Sequence, residues 1–492
     1  MRRNGMLLPI ASLPSPYGIG GFSKEAYEFI DLLEETGQKL WQILPLGPTS
    51  YGDSPYQSFS TFAGNPYFID LDTLAEKGWL TKEACEVSDY GDNESYIDYG
   101  RIYNSRFVLL KQAFLNSDIL SDEKFTEFCK ANQHWLPDYA LYMALKNQND
   151  GKSWIEWEEE IRLRKPEAVE YYKKELEEEC NFYEFLQYEF HEQWTKVKEY
   201  AHEKGIQIVG DVPIYVAFDS ADTWANPELF QLDEKNLPLG VAGCPPDAFS
   251  ATGQLWGNPL YNWAYHKKTG YDWWLKRIAY CFDLYDIVRI DHFRGFDEYY
   301  SIPYGDETAV NGHWEKGPGM DLFNTVKEKL GELDIIAEDL GFLTESVFQL
   351  LKDSGYPGMK VLQFAFDPSE DSDYLTYKYQ RNCVVYTGTH DNDTTAGWFE
   401  KLSDGDKEVA LRYMNSFYTP KEEQHWDLIA LAMRSTADTC IIPVQDFLGL
   451  GSEARINMPS TLGDNWKWRM TKGAFSEELK EKIRRMTKLY GR

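Results

Sequence analysis

Three short stretches place acids where they could do chemistry. In IVRIDHFRGF (287–296), Arg289 and Asp291 sit two residues apart in an apolar run. Side chains two apart on a strand share a face, so this cation and this carboxylate point the same way, with Val288 and Ile290 opposite. AEDLG (337–341) places Glu338 directly after Ile335, Ile336 and Ala337, and THDND (389–393) places His390 and Asp391 after another apolar run. IQIVGD (206–211) ends at Asp211. Any one such acid, taken alone, reads more readily as a turn or helix-cap residue. Asp339 and Asp446 are assigned that way.

As a set, acids at several strand ends suggest metal binding or glycosyl transfer. The spacing around His390, Asp391 and Asp393 offers no H-x-x-x-H, H-E-x-x-H or calcium-loop pattern. Glycosyl transfer needs two carboxyl groups in opposite protonation states. Arg289 beside Asp291 predicts a depressed pKa for that acid, and the apolar run before Glu338 predicts a raised one. GIGG (18–21) lacks the third glycine of a dinucleotide loop, and there is no Walker loop or G-x-S-x-G elbow.

The elements that must carry these residues recur as helix, glycine or turn, then a short apolar strand. Ser23 is placed to cap a helix with apolar positions Ala26, Phe29, Ile30 and Leu33, stopped by Gly37. The strand candidates are 6–12, 40–46, 206–211, 286–291, 334–339, 359–366, 383–388 and 440–446. They are continuously apolar, as in parallel sheets buried on both faces. Eight such units predict an α/β fold, a (β/α)8 TIM barrel, with a doubly wound sheet as the alternative. The connections are unequal. Residues 47–205 form a mostly helical insertion after the second strand, with a long charged helix near 167–203. Residues 212–270 form a loop-rich one after the third, as a lid over the site. The expected organisation is one catalytic domain over 1–492 with these two inserted subdomains.

The 492 residues carry a formal net charge of −30, which disfavours nucleic acid or an anionic membrane surface as partner. Aromatic residues make up 15%, including 16 Trp and 33 Tyr, an excess suited to stacking on sugar rings. Cys85, Cys129, Cys180, Cys244, Cys281, Cys383 and Cys440 include no C-x-x-C pair, which predicts reduced thiols and a cytoplasmic setting. MRRNGMLLPIAS reads as no signal peptide, and no apolar run approaches the ~20 residues that span a bilayer.

Ordered blocks along the whole chain resemble the amylomaltase (4-α-glucanotransferase, disproportionating enzyme) family of the α-amylase-like superfamily. They include SLPSPYGIG (12–20), WQILPLGPTSYGDSPYQSFSTFAGNPY (41–67), GDVPIYV (210–216), PPDAFSATGQLWGNPLYNW (245–263), VRIDHFRGF (288–296), AEDLG (337–341), YTGTHDND (386–393) and PVQDFLGLGSEARIN (443–457). The resemblance implies retaining transfer of α-1,4-glucan segments between maltooligosaccharides or starch-like glucans, without cofactor or metal. It implies Asp291 as nucleophile, Glu338 as general acid/base and Asp391 as the third carboxylate. Arg289 and His390 are implied to flank the −1 subsite, with Asp211 in support and Tyr56 stacking on a sugar. Asp247 is implied to bind substrate from the lid, and Asn258 and Pro259 to line the donor groove. Cys244 and Ala248 stand where the family lid carries an aliphatic residue and an aromatic. An α-glucan hydrolase with the same acids and a silent glucan-binding protein are the rival readings.

Overall fold

The computed structural model describes residues 2–50, 52–246, 250–341, 343–367 and 371–492. Its strands, in chain order, are β1 (Arg3–Leu7), β2 (Leu40–Gln42), β3 (Gln207–Pro213), β4 (Gly240–Cys244), β5 (Gln254–Pro259), β6 (Ile287–Asp291), β7 (Glu298–Pro303), β8 (His313–Lys316), β9 (Ile335–Ala337), β10 (Gly358–Val361), β11 (Cys383–Tyr386) and β12 (Thr439–Pro443). Eight of them pair in parallel in the order β10-β11-β12-β1-β2-β3-β6-β9. The two ends meet through the Ala337 N–H, which donates to the Pro357 carbonyl at 3.0 Å. Asp339 Oδ1 accepts from the Met359 N–H at 2.6 Å across the same seam. The parallel sheet thus curls into a barrel rather than a doubly wound sheet.

All eight expected strands are present, with shifted ends. The first runs over residues 3–7 rather than 6–12, because Pro9 lies in the turn that follows. The second stops at Gln42 rather than continuing to 46. Parity behaves as the sequence implies. Ile287 packs inside the barrel with Val209, Ile336, Met359, Val361 and Tyr386, while Val288 and Ile290 join the core shared with the outer helices. Gly358 and Gly210 are backbone-approach positions. A Cβ on Gly358 would strike the Asp339 carboxyl, and one on Gly210 the ring of Tyr285.

The helix expected after Ser23 spans Lys24–Glu35 and buries Ala26, Phe29, Ile30, Leu32 and Leu33. The charged stretch near 167–203 is two helices, Pro166–Glu175 and Glu177–Glu203, broken at Leu176. The first buries no side chain, while the second is held down by polar anchors. Gln187 exchanges bonds with the backbone of Gly64 at 2.6 and 2.9 Å, and the Trp194 indole N–H donates to the Leu284 carbonyl at 3.0 Å. No proline or glycine marks the break.

A second, antiparallel sheet runs β5-β4-β7-β8. Its first two strands come from the connection between β3 and β6, and its last two from the connection between β6 and β9. The loop-rich wall therefore draws on residues after Asp291 as well as those before it, a third insertion that the sequence reading does not separate.

Candidate active site

The site sits at the carboxyl ends of the barrel strands, where parallel barrels build their chemistry. β3 and β6 run in register with Asp211 opposite Arg289. The Arg289 Nη1 lies 2.7 Å from both carboxylate oxygens of Asp211 and 3.0 Å from Asp291 Oδ1. Arg289 and Asp211 are both buried, whereas the Asp291 side chain keeps 30% of its surface open. One guanidinium thus bridges a buried structural acid and the half-buried acid at the strand tip. Tyr56 OH donates to Asp211 Oδ2 at 2.9 Å. Burial, and then the charge of Asp211, push the Tyr56 phenol far up, so it stays a donor.

Arg289 does not depress Asp291 overall, as the sequence reading expected. Burial raises this carboxyl to about 6, and Arg289 only limits the rise, against Asp211 and Asp391. The ordering against Glu338 is what survives. Ile290 lies opposite Ala337 in the β6–β9 ladder, so Asp291 and Glu338 follow at neighbouring strand ends. Glu338 Oε2 accepts from the His292 N–H and Oε1 from the Leu340 N–H, both at 2.7 Å. Burial, then the charge of Asp291, push Glu338 to about 8 against those two donors. Near neutrality the proton rests on Glu338 and the charge on Asp291.

His292 occupies left-handed backbone, φ 52° and ψ 48°, between the two acids. A non-glycine residue held there is strained, and such residues gather at functional sites. Burial drops its imidazole to about 3, so the ring is neutral, and it meets Trp256 edge to face at 4.9 Å.

Asp391 is the most open of the three acids, at 42% exposure. The Asn457 amide donates to its Oδ1 at 2.6 Å, His390 Nε2 lies 3.4 Å from Oδ2, and Arg455 donates to its backbone carbonyl. The buried His390 ring stacks on Tyr56 at 5.2 Å and 17°, and both rings lie close to Trp466. One face of Tyr56 is therefore already occupied by the histidine.

The fold thus brings together Asp291, Glu338, Asp391, Arg289, His390, Asp211 and Tyr56. Asn258 and Pro259 are buried at the end of β5. The Asn258 amide donates to the Val216 carbonyl at 2.8 Å and accepts from Gln57 at 3.3 Å, which ties the second sheet to the segment carrying Tyr56. Asp247 and Ala248 lie outside the described residues. Asp446 acts as a local anchor, accepting from Thr387 and from the N–H and hydroxyl of Thr395. Asn457, Arg455, Trp466 and His292 are site residues that their spacing in the sequence does not mark. Only the ordered blocks containing EARIN and RIDHF could have flagged the first two and the last. Among the described residues, no group of three or more His, Cys, Asp or Glu side chains is arranged to hold a metal ion.

With this geometry in view, comparison with known proteins is specific. The family model described as 4-alpha-glucanotransferase matches residues 8–475. The chain is 54% identical over 485 residues to a 4-alpha-glucanotransferase of Clostridium butyricum, covering 98% of this chain and 99% of that one. It is 48% identical to one from Streptococcus pneumoniae serotype 4, covering 100% and 97%. The amylomaltase of Streptococcus agalactiae, solved in complex with acarbose, superposes with a TM-score of 0.96 at 43% identity over the whole of both chains. A barrel with these acids at its mouth, matched end to end at this identity, places the chain in the 4-alpha-glucanotransferase family, and it belongs there as a glycosyl-transferring enzyme.

Proposed function

We propose that this chain transfers segments of α-1,4-glucan between maltooligosaccharides or starch-like glucans with retention of anomeric configuration. Asp291 attacks the anomeric carbon while Glu338 gives its proton to the departing glycosidic oxygen, leaving a glycosyl ester on Asp291. Glu338, now ionised, takes the proton from the 4-hydroxyl of a second glucan. That oxygen attacks the same carbon and frees Asp291. Asp391, held by Asn457 and His390, binds sugar hydroxyls as positive charge grows at the anomeric centre. Arg289 and Asp211 fix Asp291, Tyr56 stacks against a sugar ring, and Asn258, Pro259 and Asp247 serve the glucan groove and lid. In this reading residues 1–492 act as one catalytic unit, with 47–205 and 212–270 walling the cleft, and it works in the cytoplasm with its seven cysteines unbonded.

One observation carries the reading: two carboxyls at neighbouring strand ends whose environments set Glu338 above Asp291. Incubation with maltotriose tests it. Glucose together with a ladder of longer maltooligosaccharides is the expected outcome. Shortened products alone would indicate a hydrolase of the amylase type, and binding without turnover a silent glucan-binding protein.

A further inference from the structure

Arg289 touches more than acids. Its Nε–H donates to Met359 Sδ at 3.4 Å, and among the described residues that sulfur is the one acceptor this N–H has. Met359 is 1% exposed and packs inside the barrel with Ile287, Ile336 and Tyr386. A buried methionine is ordinarily a soft filler of irregular gaps. Here its sulfur, a weak and uncharged acceptor, faces a cation.

The sulfur is placed from the backbone. The Met359 N–H donates to Asp339 Oδ1 at 2.6 Å at the barrel seam, and β10 holds the residue opposite Val384 of β11. A chain of contacts therefore runs from the seam through Met359 and Arg289 to the tip of β6. At its far end the guanidinium has two carboxylates to serve. Nη1 meets both oxygens of Asp211 at 2.7 Å and one oxygen of Asp291 at 3.0 Å. An alkyl group in place of the sulfur would leave Nε–H buried without a partner, at the full desolvation cost of that donor. A third carboxylate there would compete with Asp291 for the charge of Arg289.

We propose that Met359 is a positioning residue for the nucleophile: its sulfur holds Arg289 Nε so that the guanidinium reaches Asp291 as well as Asp211. This rests on the glucan-transfer reading above, in which Asp291 attacks. Without the sulfur, Arg289 turns toward Asp211, its closer partner. Besides Arg289, the groups facing Asp291 are Asp211, Asp391, Glu338, His390 and Tyr56. Three of these are acids, so a loosened Arg289 leaves Asp291 harder to ionise. The acid limb of the pH profile then moves to higher pH.

Maltotriose transfer by the full chain, followed against pH, tests this with Met359→Leu, Met359→Gln and norleucine at position 359. Norleucine deletes the sulfur alone, Leu nearly conserves volume, and Gln returns an acceptor on a side chain of similar length. For Leu and norleucine the expectation is a KM within about twofold of the parent and a kcat lower by about tenfold. Their acid limb should lie about half a pH unit higher. Gln should recover kcat to within about threefold of the parent and bring the limb back. Packing alone predicts the reverse order, because cores tolerate Leu for Met but disfavour a buried amide. A limb that stays in place without the sulfur, or a folded Gln chain slower than the Leu chain, overturns the proposal. If the Gln chain fails to fold by circular dichroism, the norleucine limb decides. An unmoved limb in a chain that transfers glucan sinks this inference and leaves the catalytic reading standing, whereas a parent that does not transfer removes both.

Discussion

The backbone N–H of His292 donates to Glu338 Oε2 at 2.7 Å, so the residue directly after Asp291 holds the carboxyl that works opposite it. Its left-handed backbone makes β6 turn sharply at the barrel mouth, and the two acids are thereby coupled through a single peptide unit.

Asp291→Asn is expected to remove transfer and hydrolysis together, by on the order of 10⁴-fold or more, because no covalent intermediate can form. The side chain is partly open and its loss leaves the Arg289–Asp211 pair intact, so the circular dichroism spectrum stays that of the parent. Turnover near the parent rate, measured by reducing-sugar and glucose release, would reject Asp291 as nucleophile.

The pH profile of kcat/KM is expected to be bell-shaped. Asp291 must be ionised, so activity falls as pH drops through about 6. Glu338 must be protonated, so activity falls as pH climbs through about 8. The two limbs belong to the pair rather than to either acid alone. A profile still rising at pH 9 would contradict the assignment of Glu338 as the proton donor.

Glu338 also predicts a stability slope. Its folded carboxyl titrates at about 8, above its ordinary value of 4.5. Its penalty is absent at pH values below 4.5, grows as pH rises, and is fully present above about 8. The melting temperature of Glu338→Gln minus that of the parent should therefore increase between pH 5 and pH 9. A difference that stays constant across this range would show that burial does not disfavour the ionised form.

Asn457→Ala removes the 2.6 Å donor to Asp391. A hydrogen bond to a charged group is worth about 1.5–3 kcal/mol, so kcat/KM should fall roughly tenfold to a hundredfold. Maltotriose kinetics decide it, and parent-like kcat/KM would leave His390 as sufficient support for Asp391.

Gly358→Ala places a methyl against the Asp339 carboxyl at the barrel seam. Overpacking of this kind costs about 1–3 kcal/mol, read as a shifted midpoint in urea unfolding. An unchanged midpoint would mean that the seam relaxes freely.

The alternation in IVRID was enough to put Arg289 and Asp291 on one face, because strand parity is a local rule. Eight continuously apolar runs likewise announced a parallel barrel, since burial on both faces leaves its mark in each strand separately. The helix after Ser23 was legible down to its buried positions for the same reason. Four things were decided only by the assembled chain. The break at Leu176 has no local breaker and depends on which half of the charged stretch finds a surface. The second sheet joins strands from two separate connections, a pairing across more than forty residues that no periodicity encodes. The balance on Asp291 was misjudged because a neighbouring arginine is visible in sequence, whereas desolvation is the summed effect of everything packed around a group. Asn457 reaches Asp391 from 66 residues away. Spacing in the chain names the reacting acids, but the groups that hold them and set their protons are gathered only by the fold.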